Sequence, residues 1–81
     1  MHVGERLKLF RIMNGASRED LAKWSGYSRT YIANIEAGRR EPVPFALRVL
    51  LQSLGVSNWD EILESFVQER AEKQIRTLVA C

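Results

Sequence analysis

Apolar positions along this chain recur at helical spacing, and nowhere do they alternate as in a half-buried strand. Val3, Leu7 and Phe10 share one face of a first helix predicted over about residues 3–14. It stops at Asn14-Gly15, where glycine takes the left-handed cap conformation. A second helix opens at Ser17-Arg18-Glu19-Asp20, where a hydroxyl and a carboxylate three residues apart satisfy the free amides of a helix start, and it ends at Ser25 before Gly26. Only Tyr27 and Ser28 separate that glycine from a third helix, capped by Ser28, with Ile32 and Ile35 turned inward. Two short helices therefore meet across a tight turn.

The third pattern ends at Ala37-Gly38. A loop, Arg39-Arg40-Glu41-Pro42-Val43, leads to Pro44, which suits the first position of a fourth helix. Phe45, Leu47, Val49, Leu50, Leu51 and Leu54 make that helix apolar on most sides, so it is expected to be the centre of the core. Gly55 closes it. Ser57 with Asp60 can cap a fifth helix carrying Trp59, Ile62, Leu63, Phe66 and Val67. From Gln68 to Arg76 only Ala71 and Ile75 are apolar, before Leu78, Val79 and Ala80; the fifth helix either continues or frays there.

A chain of 81 residues, 46% hydrophobic, suffices for one core and is too short for two. With a single cysteine, Cys81, and a single histidine, His2, neither a disulfide framework nor a four-ligand zinc site can be assembled within one chain, which leaves dimerisation as the expected support. Cys81 reads as a tolerated residue with a reduced thiol. Charges at Glu5, Arg6, Lys8 and Arg11 interrupt any signal-peptide core, and no segment has the ~18 continuous apolar residues of a membrane span. The expectation is a cytoplasmic protein with no membrane contact.

The net charge of +2 says little by itself; its distribution says more. Residues 1–48 hold nine Lys or Arg against five Asp or Glu, and residues 49–81 hold three against five, so an excess of +4 in the first part faces −2 in the second. The candidate nucleic-acid face is in the first part. Scattered carboxylates and one histidine offer no nucleophile–base pair and no metal cluster, so the sequence does not read as an enzyme and implies no metal or cofactor.

The informative block runs from Arg18 to Glu36. Ala22 is small where two helices cross, Gly26 supplies a positive φ, and Leu21, Ile32 and Ile35 fill the angle between the helices. The outer face of the third helix is left with Arg29, Thr30, Ala33 and Asn34 at a spacing that can follow a groove. This block resembles the Cro and lambda-repressor class of helix-turn-helix proteins, often called Xre-type. The likeness extends from about Gly4 to Leu63. It includes Gly4-Glu5-Arg6-Leu7, Leu21-Ala22, Gly26, Ile35-Glu36-Ala37-Gly38-Arg39-Arg40-Glu41-Pro42 and Leu54-Gly55-Val56-Ser57.

The resemblance implies an all-α, five-helix lambda-repressor-like DNA-binding domain over residues 1–65. Residues 66–81 would form a C-terminal helical extension available for packing or dimerisation. It further implies that Arg29, Thr30 and Asn34 meet base edges, a role their chemistry suits: arginine donates twice to guanine, asparagine pairs bidentately with adenine, and threonine offers a hydroxyl or a methyl. Arg18 and Ser28 at the two helix starts, with Arg39 and Arg40 beyond the third helix, would contact phosphates. Arg11 and Glu36 occupy positions that pair in the family and are read as a structural salt bridge.

Two features depart from the family pattern. Arg18 stands where glutamine is common, exchanging an amide for a cation. Leu9, Ile12 and Met13 stand where polar residues are usual and form a second apolar stripe on the first helix. With Phe66 they make a candidate protein interface. Phe66, Val67, Ile75, Leu78 and Val79 can cover the stripe from the same subunit or its twin. The function implied is sequence-specific double-stranded DNA binding and transcriptional regulation, as a homodimeric repressor on a pseudo-palindromic operator. The alternative is a module on the same fold, an antitoxin or antiactivator, that sequesters another regulatory protein.

Overall fold

The structure, a computed structural model, describes residues 2–79, with side chains through Glu72. Five helices and no strand occur among the described residues: α1 (Val3–Met13), α2 (Arg18–Ser25), α3 (Arg29–Glu36), α4 (Pro44–Ser53) and α5 (Trp59–Val79).

The local signals at Ser17, Gly26, Ser28 and Pro44 operate where the sequence puts them; the cap expected from Ser57 with Asp60 does not, because α5 begins at Trp59, directly after Asn58. Ser17 caps α2 by accepting from the Asp20 amide at 3.0 Å, while the Asp20 carboxylate accepts from the Ser17 amide at 3.0 Å, a complete capping box. Donation from the Ser17 backbone amide first, and from the Ser17 side chain second, holds the Asp20 carboxyl below its ordinary value. Gly26 ends α2 in the left-handed conformation at φ 83°, which turns the chain sharply enough for Ser28 to start α3 two residues later. Ser28 accepts from the Tyr31 amide at 3.0 Å, and Pro44 occupies the first turn of α4.

Leu7 of α1, Leu21 of α2, Ile32 and Ile35 of α3, and Leu47, Leu50 and Leu51 of α4 converge in the core, each fully buried. Burying one such side chain contributes roughly 1.5–3 kcal/mol, so this cluster sets how the short helices are arranged. α4 packs on both α2 and α5, as its apolar pattern predicts, but Phe45 is a correction: at 68% exposure it faces solvent. The buried face of α4 is carried by Ala46, Leu47, Leu50 and Leu51, and Phe45 precedes Ala46 on the opposite side.

α1 and α3 approach to backbone contact. A Cβ built on Gly4 would sit 1.8 Å from the Ile35 carbonyl oxygen, so only glycine permits this crossing. α5 runs without interruption through residues 65 and 66, and Phe66, like Ile62, lies in the core. Phe66 is thus a second correction: at 5% exposure it is spent on intramolecular packing and is not part of a surface for a partner. Leu9, Ile12, Met13 and Val67 are exposed. The readings made for Ile75, Leu78, Val79 and Cys81 fall outside the described side chains. No helix among the described residues is long and apolar enough to cross a membrane.

Candidate nucleic-acid interface

α3 carries the residues assigned to base edges; the turn at Gly26 joins its start to the end of α2, and the Arg29 side chain reaches back to Glu19 in the first turn of α2. The first amides of α3, those of Arg29 and Thr30, have no acceptor within the helix and remain available to an anion. Ser28 uses its hydroxyl oxygen as the cap, which leaves the hydroxyl proton free to be donated. Arg29 and Thr30 are exposed, and Asn34, one turn along the same helix, is half-buried.

Beneath this face is an ion-pair cluster. Arg11 grips Glu36 with the Nε/Nη2 edge of its guanidinium, Nε to Oε2 at 2.8 Å and Nη2 to Oε1 at 3.0 Å, and its Nη1 donates to the Ala16 carbonyl at 2.9 Å. The pairing joins α1 to the last residue of α3, and both side chains are at least nine-tenths buried. Arg18, assigned to phosphate, also donates from Nε to Glu36 Oε1 at 3.0 Å while keeping 39% of its side chain exposed. Its two terminal nitrogens make no hydrogen bond among the described residues. Two arginines on one carboxylate leave the cluster with one net positive charge at the start of α2.

Arg29, Asn34, Arg39 and Arg40 are each held by a neighbouring side chain. Arg29 Nη1 donates to Glu19 Oε1 at 3.0 Å, a contact from α3 back to α2. Arg39 Nε donates to Asn34 Oδ1 at 3.0 Å. The backbone explains this second contact: the amides of Arg39 and Arg40 both donate to the Asn34 carbonyl, at 3.0 and 3.2 Å, so the loop after α3 folds back onto its last turn. Arg40 lies over the Tyr31 ring at 5.1 Å, and Tyr31 in turn packs against Tyr27 at 5.2 Å. Ser28, Arg29, Thr30 and Asn34 thus lie on α3 or at its start and Arg39 and Arg40 in the loop after it, while Arg18 reaches the end of α3 from the start of α2 through Glu36. Leu9, Ile12 and Met13 belong to the far half of α1.

Sequence reading missed three partners: Glu19 for Arg29, Arg39 for Asn34, and Glu36 for Arg18. Their separations of 10, 5 and 18 residues each span a turn, where helical periodicity gives no rule for who meets whom. Among the described residues no group of His, Cys, Asp and Glu is arranged to hold a metal ion.

Residues 2–62 match the family described as the helix-turn-helix domain. The chain is also similar to the uncharacterized HTH-type transcriptional regulator y4dJ of Sinorhizobium fredii (strain NBRC 101917 / NGR234). The two are 38% identical over 56 residues, which is 69% of this chain and 73% of that protein. No solved structure matches the chain.

Proposed function

The chain belongs to the helix-turn-helix domain family, and from that premise we propose that it is a cytoplasmic, sequence-specific double-stranded DNA-binding regulator that acts as a homodimeric repressor. The observation that carries this reading is the face built on α3. There, two bidentate-capable side chains, Arg29 and Asn34, share one helix, with cations at Arg39 and Arg40 in the loop after it and at Arg18, which bonds to Glu36 at its last residue. The similar regulator is named for transcription, which agrees with this assignment.

In the proposed complex α3 enters the major groove. Arg29 donates to guanine, Asn34 reads adenine and Thr30 offers its hydroxyl or methyl, each good bidentate pair discriminating by ~1–3 kcal/mol. Arg18, Ser28, Arg39 and Arg40 hold phosphates and set the register without reading sequence. Two copies related by a twofold axis would place their α3 helices ~34 Å apart on a pseudo-palindrome, and occupancy would exclude polymerase.

The test is selection of bound sequences from a random duplex pool by the purified protein and by Arg29→Ala. A palindromic motif that loses preference at one position per half-site in the variant supports the proposal. A single unpaired half-site refutes the dimer, and absence of any motif with folded protein refutes the DNA reading. In that last case a second reading gains weight: a protein-sequestering module, supported by Leu9, Ile12 and Met13, which are 45%, 55% and 78% exposed on one stripe of α1.

A further inference from the structure

Of the residues around α3, Glu19 is the one whose presence is hardest to reconcile with simple attraction to DNA. It is in the first turn of α2, beside the start of α3, and its side chain is 73% exposed on a face otherwise furnished with arginines. A carboxylate there is repelled by every phosphate alike. Its one polar contact is Arg29, whose own side chain is 66% exposed and which touches no other acceptor among the described residues.

The geometry of that contact is informative. Glu19 takes Nη1 of Arg29, one corner of the guanidinium, and leaves the edge formed by Nε and Nη2 unoccupied. Arg11 uses that same edge for its two bonds to Glu36, so within this molecule the edge is seen making the two parallel bonds that guanine O6 and N7 would accept. A long, exposed arginine without a partner spreads over many rotamers and binds the nearest phosphate as readily as a base. Tethered at Nη1, its reach is narrowed while its two-donor edge keeps no partner among the described residues.

We propose that Glu19 is a positioning residue that sets base specificity through Arg29, lowering indiscriminate phosphate binding and sharpening the preference for guanine at one position. The inference rests on the reading of α3 as the groove-entering helix. Glu19 acts in two opposite directions. It weakens affinity for any duplex, because it adds a negative charge and occupies a cation. It strengthens discrimination, because the rotamers it removes from Arg29 include those that reach phosphate. A residue that merely supported the fold would do neither.

The test compares wild type, Glu19→Gln, Glu19→Asp and Arg29→Ala by selection from a random duplex pool, with salt titrations on a duplex lacking the selected motif. Arg29→Ala identifies the position that Arg29 reads. At that position alone, Glu19→Gln is expected to relax the base preference by about two- to fivefold, the scale of an exposed ion pair. On the unrelated duplex its affinity should rise, with the salt slope steeper by about 0.9 as Arg29 takes a phosphate. Glu19→Asp, which keeps the charge, should remain closer to wild type in both readouts, and thermal melts of the exposed-site variants should coincide with it.

A Glu19→Gln motif identical to wild type, or weakened equally at all positions, overturns the inference while leaving the DNA reading intact. An Arg29→Ala motif unchanged from wild type overturns it as well, by removing Arg29 from the base edge. A wild-type protein that enriches no motif brings down the DNA reading itself and this inference with it.

Discussion

Replacing Arg11 by alanine should cost more stability than any other single change on the binding side of the molecule, although Arg11 is not assigned to DNA. The Glu36 side chain is only 1% exposed, and it accepts three charge-assisted bonds, two from Arg11 and one from Arg18. Arg11→Ala removes two of the three and also takes the guanidinium donor from the buried Ala16 carbonyl. Breaking a buried pair from one side destabilises by ~3–5 kcal/mol because a charge is left without compensation; Arg18 remains on Glu36, so the lower end, about 3 kcal/mol, applies.

A domain of this length has a total stability of roughly 4–12 kcal/mol, so the loss is a quarter or more of it. At ~4–8 °C per kcal/mol the Tm should fall by about 12–24 °C. Urea unfolding followed by far-UV circular dichroism gives the equilibrium value, with an unchanged m confirming that only stability moved. The single variants Arg11→Met and Glu36→Met and the double variant Arg11→Met, Glu36→Met form the cycle. Removing both charges should recover most of the loss, giving a coupling of about 2 kcal/mol, within the range for residues in contact. A single-variant loss under ~0.5 kcal/mol, or a cycle with no coupling, would refute the view that this pair clamps α1 to the end of α3.

Gly4→Ala should destabilise by about 1–3 kcal/mol, because the new methyl meets the Ile35 carbonyl oxygen, which is backbone and cannot rotate aside; a melt that does not change would show that α1 and α3 separate cheaply. Phe66→Ala should cost ~3–5 kcal/mol as a core truncation, whereas a surface residue would show almost nothing. In the folded protein Asp20 should titrate below 3.8, and Ser17→Ala should return it towards that value. Because the folded value is the lower one, the carboxylate's contribution is complete above the unfolded value and is lost as pH falls through the folded one. Ser17→Ala should therefore be less stable than wild type near neutral pH, and the gap to wild type should narrow as pH falls through the folded value in acid titration. A gap that stays constant with pH would count against the reciprocal capping box.

Much of the architecture is local, and local features are legible. Ser17, Gly26, Ser28 and Pro44 each act within two or three residues of themselves, so helix starts and stops follow from side-chain chemistry without knowledge of the fold. Leu7, Leu21, Ile32, Ile35 and Leu47 recur at helical spacing and are buried for that reason. Phe45 and Phe66 were misjudged because apolar character does not say which side of an apolar-rich helix meets its neighbours. α4 turns Ala46, Leu47, Leu50 and Leu51 inward and leaves Phe45 out, while α5 turns Phe66 in and leaves Val67 out.

By itself, then, the sequence determined an all-helical chain with a tight turn between two short helices, a basic first part, and Arg29, Thr30 and Asn34 on one helix face, because periodicity and capping are properties of neighbours along the chain. Tertiary structure alone decided that Glu36 would be shared by Arg11 and Arg18, that Glu19 would tether Arg29 and Arg39 would hold Asn34, and that Gly4 would admit a backbone crossing. Each of those contacts joins separate elements, and the distance between two elements is set by how the whole core packs.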